Sequence, residues 1–267
     1  MHRSQSMNNS KKAVILFSGG LDSSTVLKIA LDEGYEVIPV SFFYNQRHKT
    51  EIEHAKKLVK YFNIKNHIII NLDFSSIKGS ALVDFDISVP KNQIKILTEP
   101  ADHHSANGNL EKSEPAAQKD NIPTARKNNI PITYVPARNT IFLSYAIAVG
   151  EVNNAGDIFI GVNWIDYSGY PDCRPEYIQS FEKMANIATK ISVTGQLKFK
   201  IHTPLINMGK KDIIKKAHDI NVPLEMTHSC YDPVNGLACG VCDSCILRKN
   251  GFIEAGIEDP TIYAKLF

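Results

Sequence analysis

Two groups of side chains in this sequence have the types and spacing that chemistry needs. The first is Phe17-Ser18-Gly19-Gly20-Leu21-Asp22-Ser23-Ser24, continuing into Thr25-Val26-Leu27. Adjacent glycines let a backbone approach an anion with no Cβ in the way. Ser18, Ser23 and Ser24 add hydroxyl donors. A helix opening at Leu21 would aim its unpaired N–H groups and its positive dipole end at the same point. The set suits a phosphate. Asp22 fits there only if it orders the loop or helps to hold Mg²⁺ between phosphates. Ser and Asp are also ordinary helix caps, so the context decides, and the string lies between a strand-like run and a helix-like one. It carries neither Gly-x-x-x-x-Gly-Lys nor Gly-x-Gly-x-x-Gly, which excludes the Walker loop and the dinucleotide fingerprint.

The second group is Cys230-x8-Cys239-x2-Cys242-x2-Cys245. Cys-x2-Cys spacing lets neighbouring thiolates reach one tetrahedral ion. Four sulfurs complete the coordination of Zn²⁺, so the expected site is closed and structural. An iron–sulfur cluster uses the same ligands, and a zinc ribbon would add a nucleic-acid surface near Arg248 and Lys249. The fifth cysteine, Cys173, stands alone in a polar stretch and reads as structural or as a sulfur carrier.

These groups need elements to position them. Ala13–Phe17 is a continuous apolar run, as expected of a buried parallel strand. Leu21–Glu33 reads as a helix closed by Gly34. Tyr35–Phe43 reads as a strand, His48–Phe62 as a helix with Ile52, Ala55, Val59 and Phe62 on one face, and His67–Leu72 as a strand. This alternation predicts an α/β fold with a doubly wound, mostly parallel sheet. The pattern lapses over 98–130, which lacks Phe, Trp, Tyr, Val and Met and reads as a solvent-exposed, largely disordered insertion. Asn139–Val149 is apolar nearly all round, which predicts a buried helix. Asp157–Val162 reads as a strand, and Pro175–Lys190 and Lys210–Asp219 as helices. The expected organisation is a flexible extension at 1–12, a catalytic domain at 13–220 and a cysteine region at 221–267.

Composition bounds the function. The chain has 267 residues, 43% of them hydrophobic, enough for a real core. Lys plus Arg number 30 against 28 Asp plus Glu, so charge gives no case for a large nucleic-acid footprint. No apolar run reaches the roughly 18–20 residues of a membrane span, and the polar start carries no signal-peptide core. The expected location is the cytoplasm, where a dense cysteine cluster reads as metal ligands rather than disulfides.

Two further stretches stand out: Tyr134-Val135-Pro136-Ala137-Arg138-Asn139-Thr140, and Gly161 to Glu176, which is dense in polar groups and rings. The second follows a strand, where open α/β sheets bind ligands. Trp164, Tyr167 or Tyr170 would stack on a planar heterocycle. Asp166 or Asp172 would accept the N–H groups of a guanine-like edge, and Arg138 or Arg174 would pair with a substrate carboxylate. An ordinary surface loop with aromatic packing fits the composition equally well.

Ser-Gly-Gly-x-Asp-Ser at 18–23 resembles the signature of the PP-loop ATP pyrophosphatases. That resemblance implies cleavage of ATP between its α- and β-phosphates. With Val-Pro-Ala-Arg-Asn-Thr at 135–140, Asp-Tyr-Ser-Gly-Tyr-Pro-Asp-Cys-Arg-Pro-Glu at 166–176, Thr-Pro-Leu at 203–205, Ser-Cys-Tyr-Asp-Pro at 229–233 and Cys-Gly-x-Cys-Asp-Ser-Cys at 239–245, the chain resembles the 7-cyano-7-deazaguanine synthase family. The resemblance implies conversion of 7-carboxy-7-deazaguanine and ammonia, with ATP and Mg²⁺, to a nitrile that feeds queuosine biosynthesis. It implies ATP binding at Phe17–Leu27 and one structural Zn²⁺ on Cys230, Cys239, Cys242 and Cys245. It places a lysine at Lys210, where the charge would offset phosphate in the transition state. It suggests a homodimer, and the near-neutral charge argues against a nucleic-acid partner. On this footing Asp22, Lys210 and Arg138 are the catalytic candidates. Arg138, Asn139, Asn163, Asp166, Tyr167, Tyr170, Asp172 and Arg174 are the substrate candidates.

The chain departs from the family at Phe43 and Asn45, where an acid and a glycine are usual after the second strand. Asn tolerates a left-handed turn, so the fold should survive the change. The competing readings are a tRNA thiolase, for which a sulfur-carrying cysteine pair or an RNA-binding domain would be expected, and a binding module without turnover.

Overall fold

The computed structural model describes residues 11–46, 49–94, 130–163 and 169–265. Nearly all of the expected insertion at 98–130 lies outside them, as do Trp164, Asp166 and Tyr167. Five strands form one parallel sheet: β1 (Lys12–Leu16), β2 (Glu36–Phe43), β3 (Ile68–Asn71), β4 (Asp157–Phe159) and β5 (Lys200–His202). Their spatial order is β3-β2-β1-β4-β5, so β1 is central. Val14 lies opposite Ile38 on one side and Ile158 on the other.

The side-chain period of two splits β1 between two cores. Val14 and Leu16 pack with Leu143, Ala146 and Ile147 of α3 (Arg138–Asn153) and with Ile178, Phe181 and Ala185 of α4 (Pro175–Ala188). Ala13, Ile15 and Phe17 pack on the opposite face. There they meet α1 (Leu21–Asp32), α2 (Thr50–Tyr61), α6 (Lys210–Asp219) and Phe252 of α7 (Asp243–Ala255). A strand covered on both faces must be apolar throughout, and this accounts for the unbroken Ala13–Phe17 run. The sheet is therefore doubly wound, as the alternation predicts. The short helix α5 (Lys190–Val193) follows α4 after a break at Thr189.

One expectation fails. Residues 139–149 are apolar nearly all round, yet α3 buries only the stripe Asn139, Leu143, Ala146, Ile147 and Gly150. Tyr145 is 40% exposed and Val152 79%. A helix lying on one face of a sheet has one stripe to bury, whatever the residues on its outer side. Among the described residues no helix is long and apolar enough to cross a membrane.

A third, smaller core joins the cysteine region to the segment after β3. Ala81 and Val89 pack there with Cys230, Ala238, Cys239, Cys242 and Cys245. The chain end is tied to the same region, since the Ala264 N–H donates to the Ala238 carbonyl at 2.8 Å.

Candidate functional site

β1 ends at Leu16, and the chain turns through Ser18-Gly19-Gly20 into α1. Gly19 sits at φ +79°, and a Cβ on it would lie 2.5 Å from the Ala55 nitrogen of α2. Only glycine fits both the angle and the contact. Gly20 is the extended cap residue of α1. The Ser18 hydroxyl accepts from the Gly20 N–H at 3.2 Å and lies 3.1 Å from the Ser23 hydroxyl. The loop is thus braced from within, and among the described residues the N–H groups of Leu21, Asp22 and Ser23 in the first turn of α1 have no acceptor. Further support comes from β2: the Ser41 hydroxyl donates to the Phe17 carbonyl at 2.6 Å, and His67 Nε2 lies 2.8 Å from it.

Asp22 is the carboxylate of this loop. Both its oxygens accept from Lys210 Nζ, at 2.9 and 2.8 Å, and Oδ2 also accepts from Asn163 Nδ2 at 2.8 Å. Lys210 opens α6, behind the cap residue Gly209. A cation at a helix N-terminus opposes the helix dipole, so its place there is not accounted for by helix stability. The positive ends of α1 and α6 and the Lys210 ammonium converge on one spot. The α7 backbone fixes the lysine stem, because a Cβ on Gly251 would lie 2.7 Å from Lys210 Cγ.

These residues form one end of a cavity of about 270 Å³. The other end is lined by Tyr44, Glu51, Thr133, Arg138, Asn139 and Tyr170, with Phe42 and Phe142 stacked at 4.0 Å along one wall. Burial opposes the charge of Arg138, but the neighbouring Tyr44 and Tyr170 hydroxyls hold its pKa above the ordinary value. Burial pushes Glu51 up to about 7, against the pull of Arg138. Burial also raises Tyr44. The geometry offers anion binding at the loop end and a guanidinium beside a weakly acidic carboxyl at the other.

The candidate residues divide as follows. Phe17, Ser18, Gly20, Leu21, Asp22 and Ser23 line the cavity with Lys210, Arg138, Asn139, Asn163 and Tyr170. Ser24, Thr25, Val26 and Leu27 are buried in α1, and Gly19 meets α2. Asp172 and Arg174 do not line the cavity. Asp172 Oδ2 accepts the Asn139 N–H at 3.0 Å and so caps the start of α3 from a distance, and Arg174 is the exposed cap residue of α4. Part of the polar density at 163–176 thus serves to hold α3 in place. Cys173 lines the cavity, and its sulfur accepts from Asn139 Nδ2 at 3.1 Å. Asn45 adopts φ +58° and donates to Asp73 Oδ1 at 3.1 Å, so asparagine fills the left-handed position expected of it. Lys49 Nζ lies 5.4 Å from the centre of the Phe43 ring. Sequence reasoning missed Glu51, Tyr44 and the wall formed by His228, Ser229, Tyr231, Ser244, Leu247 and Arg248. The signal for that wall was present: Ser229 and Tyr231 flank Cys230, and Ser244 precedes Cys245.

The four cysteine sulfurs all lie within 4.8 Å of one another and are buried. Backbone N–H groups of Asp232 and Cys239 donate to Cys230 Sγ at 3.3 and 3.2 Å, and that of Cys242 donates to Cys239 Sγ at 3.3 Å. Hydrogen bonds from the Cys230 and Cys245 thiols hold Cys242 low, and in return those two thiols are pushed up. Four crowded thiols cannot all ionise without a cation among them. The donor set fits a metal ion.

A family model described as queuosine biosynthesis protein QueC matches residues 12–110 and 102–256. The 7-cyano-7-deazaguanine synthase of Desulfatibacillum aliphaticivorans is 50% identical over 95% of this chain and 97% of that protein. The synthase of the same name from Syntrophobacter fumaroxidans is 48% identical over 96% of this chain and 97% of that one. Among solved structures, NMN synthetase from Francisella tularensis superposes with a TM-score of 0.45 at 15% identity, over 94% of this chain and 79% of that one. At that level of likeness no function carries across. The near-complete match to the family model and to the synthases places this chain in the queuosine biosynthesis protein QueC family.

Proposed function

We propose that the chain converts 7-carboxy-7-deazaguanine and ammonia to 7-cyano-7-deazaguanine, spending ATP, in queuosine biosynthesis. The observation that carries this reading is one cavity with a braced phosphate loop and Lys210 at one end and Arg138 at the other. The loop would hold the β- and γ-phosphates on its N–H groups, while Lys210 offsets charge at the α-phosphate as it is attacked. Asp22 carries the oxygens that Mg²⁺ would take beside the phosphates, and Mg²⁺ would supply further charge neutralisation there. Arg138 would orient the substrate carboxylate toward the α-phosphate. Asn163 holds Asp22, Asn139 faces the same space, and Tyr170 offers a ring to the heterocycle.

The chemistry follows as two activations at one carbon. The carboxylate oxygen takes the adenylyl group and pyrophosphate leaves. Ammonia displaces AMP to give the amide. Activation of the amide oxygen and its loss then give the nitrile. No enzyme nucleophile is needed, so Cys173 has no covalent role in this scheme.

The cysteine cluster would hold one structural Zn²⁺ whose work is to keep the 228–231 and 244–248 wall in place. The same reading assigns 13–220 to catalysis and 221–267 to the zinc region. It also takes the enzyme to be cytoplasmic, a homodimer, and independent of nucleic acid. The test is incubation of the protein with 7-carboxy-7-deazaguanine, ammonium and Mg-ATP, followed by mass spectrometry of the heterocycle. An amide and then a nitrile, with AMP released, supports the reading. An unchanged heterocycle, with ATP binding confirmed, overturns it.

A further inference from the structure

Beside the main cavity lies a side chamber of about 50 Å³. Tyr44, Glu51, Arg138 and His228 line both spaces, and Gln46, Thr50 and Pro233 line only the chamber. Space of that size holds a few water-sized molecules. It is well short of the several hundred Å³ that a heterocyclic ligand fills. The chamber therefore adjoins the site of reaction but admits only something small.

Glu51 stands at the junction, in the first turn of α2. It is partly buried, and among the described residues nothing hydrogen-bonds or ion-pairs with its carboxyl. A carboxylate withdrawn from water without donors is costly, so buried carboxylates normally have partners. The titratable groups that face the chamber with it are Tyr44, Arg138, His228, Cys230 and Tyr231. Arg138 pulls the Glu51 pKa down without an ion pair between them, so among the described residues the Glu51 oxygens have no donor and can take a small one. Ammonium supplies donors on every side, fits the volume, and brings the charge that a carboxylate prefers.

We propose that the side chamber is the ammonium port of this enzyme, and that Glu51 binds the ion there and takes one of its protons. The inference rests on the function proposed above. The step balances simply. One N–H bond of ammonium breaks and the proton goes to a Glu51 oxygen. The freed lone pair forms the C–N bond at the acyl carbon, and the C–O bond to AMP breaks with its electron pair. The nitrogen then loses a second proton to water, and Glu51 returns its own to solvent. A carboxyl that titrates near neutrality suits this exchange.

The test compares the wild type with Glu51→Gln and Glu51→Asp. Turnover is followed against ammonium between about pH 6 and 8.5. In parallel, pyrophosphate release is followed with heterocycle and Mg-ATP but no ammonium. Glu51→Gln is expected to raise the KM for ammonium about 10²-fold at neutral pH and to leave the pyrophosphate burst intact. Its KM expressed as free ammonia should no longer change with pH. Hydroxylamine, largely unprotonated at neutral pH, should restore amide-type product in the variant, and Glu51→Asp should restore part of the ammonium response. Thr50→Phe, in the lining of the chamber, should fill that space and raise the ammonium KM, with the burst unchanged. An unaltered ammonium KM in Glu51→Gln would overturn the port. So would loss of its burst, which would move Glu51 to the activation step. If the wild type itself gives neither pyrophosphate nor amide, the proposed function fails first and the port with it.

Discussion

The Ser18–Ser24 loop and the cysteine cluster both gather backbone N–H groups, but they leave those groups in different states. In the cluster, the N–H groups of Asp232, Cys239 and Cys242 are already bonded to sulfurs of the same chain. In the loop, side chains brace the turn, Leu21, Asp22 and Ser23 line the cavity, and among the described residues nothing accepts from their N–H groups. One region commits its donors to its own sulfurs, and under the function proposed above the other keeps them for the phosphates of a nucleotide that comes and goes. The difference teaches where each should be vulnerable: the cluster through stability and the loop through rate.

The sharpest way to break this comparison is at the cluster. Cys242→Ala removes one of four ligands around a metal whose binding is coupled to folding, with free energies of about 10–16 kcal/mol in small zinc domains. A loss of about 5 kcal/mol would lower Tm by roughly 10–20 °C in a chain of this size. Metal analysis should show the equivalent gone, and a chelator should reproduce the shift in the wild type. A variant that keeps both its metal and its Tm would refute the assignment of the cluster to stability.

The opposite outcome is expected at Lys210. Lys210→Ala should cut kcat about 10²–10³-fold with Tm within about 3 °C of the wild type, since the pair with Asp22 is partly exposed and contributes little to folding. Steady-state rates and thermal unfolding on the same preparation decide it. A variant with intact turnover would remove Lys210 from the chemistry.

Gly251 sharpens the comparison because it joins the two regions. It lies on α7, which begins between the last two cysteines, and its missing Cβ leaves room for the Lys210 stem. Gly251→Ala should strain the α6–α7 contact by about 1–3 kcal/mol and move the ammonium off the cavity. The expected result is a roughly tenfold lower kcat with the metal retained. If kcat falls only in proportion to metal lost, α7 acts through the cluster alone.

How much of this was legible in the sequence depends on the range of the interaction. The strand–loop–helix unit around Ser18–Ser24 is local, so its period, glycines and caps announce it, and β1, α1 and β2 fall within a residue or two of their expected bounds. The cysteine spacing is local too. Asp22–Lys210 spans 188 residues, and only the family resemblance brought Lys210 forward. Glu51 gave no signal, because a polar residue in the first turn of an amphipathic helix looks like a solvated face until the fold brings Arg138 and His228 to the same chamber. Asp172 shows the reverse: a carboxylate in a dense polar motif that the fold uses to cap α3. The misread exposure of α3 has the same root, since periodicity reports which residues are apolar and not how many faces a neighbour covers.

The smallest expected effect tests the loop's support rather than its ligand contacts. His67 is partly buried against the edge of Phe17, and its Nε2 meets the Ser41 hydroxyl that holds the Phe17 carbonyl. Because Ser41 donates its hydrogen to that carbonyl, His67 donates from Nε2. Burial lowers the His67 pKa, with Lys56 adding to the effect. The unfolded chain, with a histidine near 6.5, therefore binds the proton first. Stability from the neutral ring is complete above about pH 6.5 and falls as the pH drops below it, by at most about 1.4 kcal/mol per pH unit. His67→Gln, which keeps a donor and cannot titrate, should flatten that part of the Tm–pH curve. A cluster that holds a metal would also weaken in acid as its thiolates take protons, so the two contributions must be separated. Subtracting the Tm–pH curve of the His67→Gln protein from that of the wild type isolates the loop, because both carry the same cluster. A difference curve with no slope below pH about 6.5 would mean that the loop's support is insensitive to acid, and that the acid response of the fold belongs to the cluster and the other titrating groups.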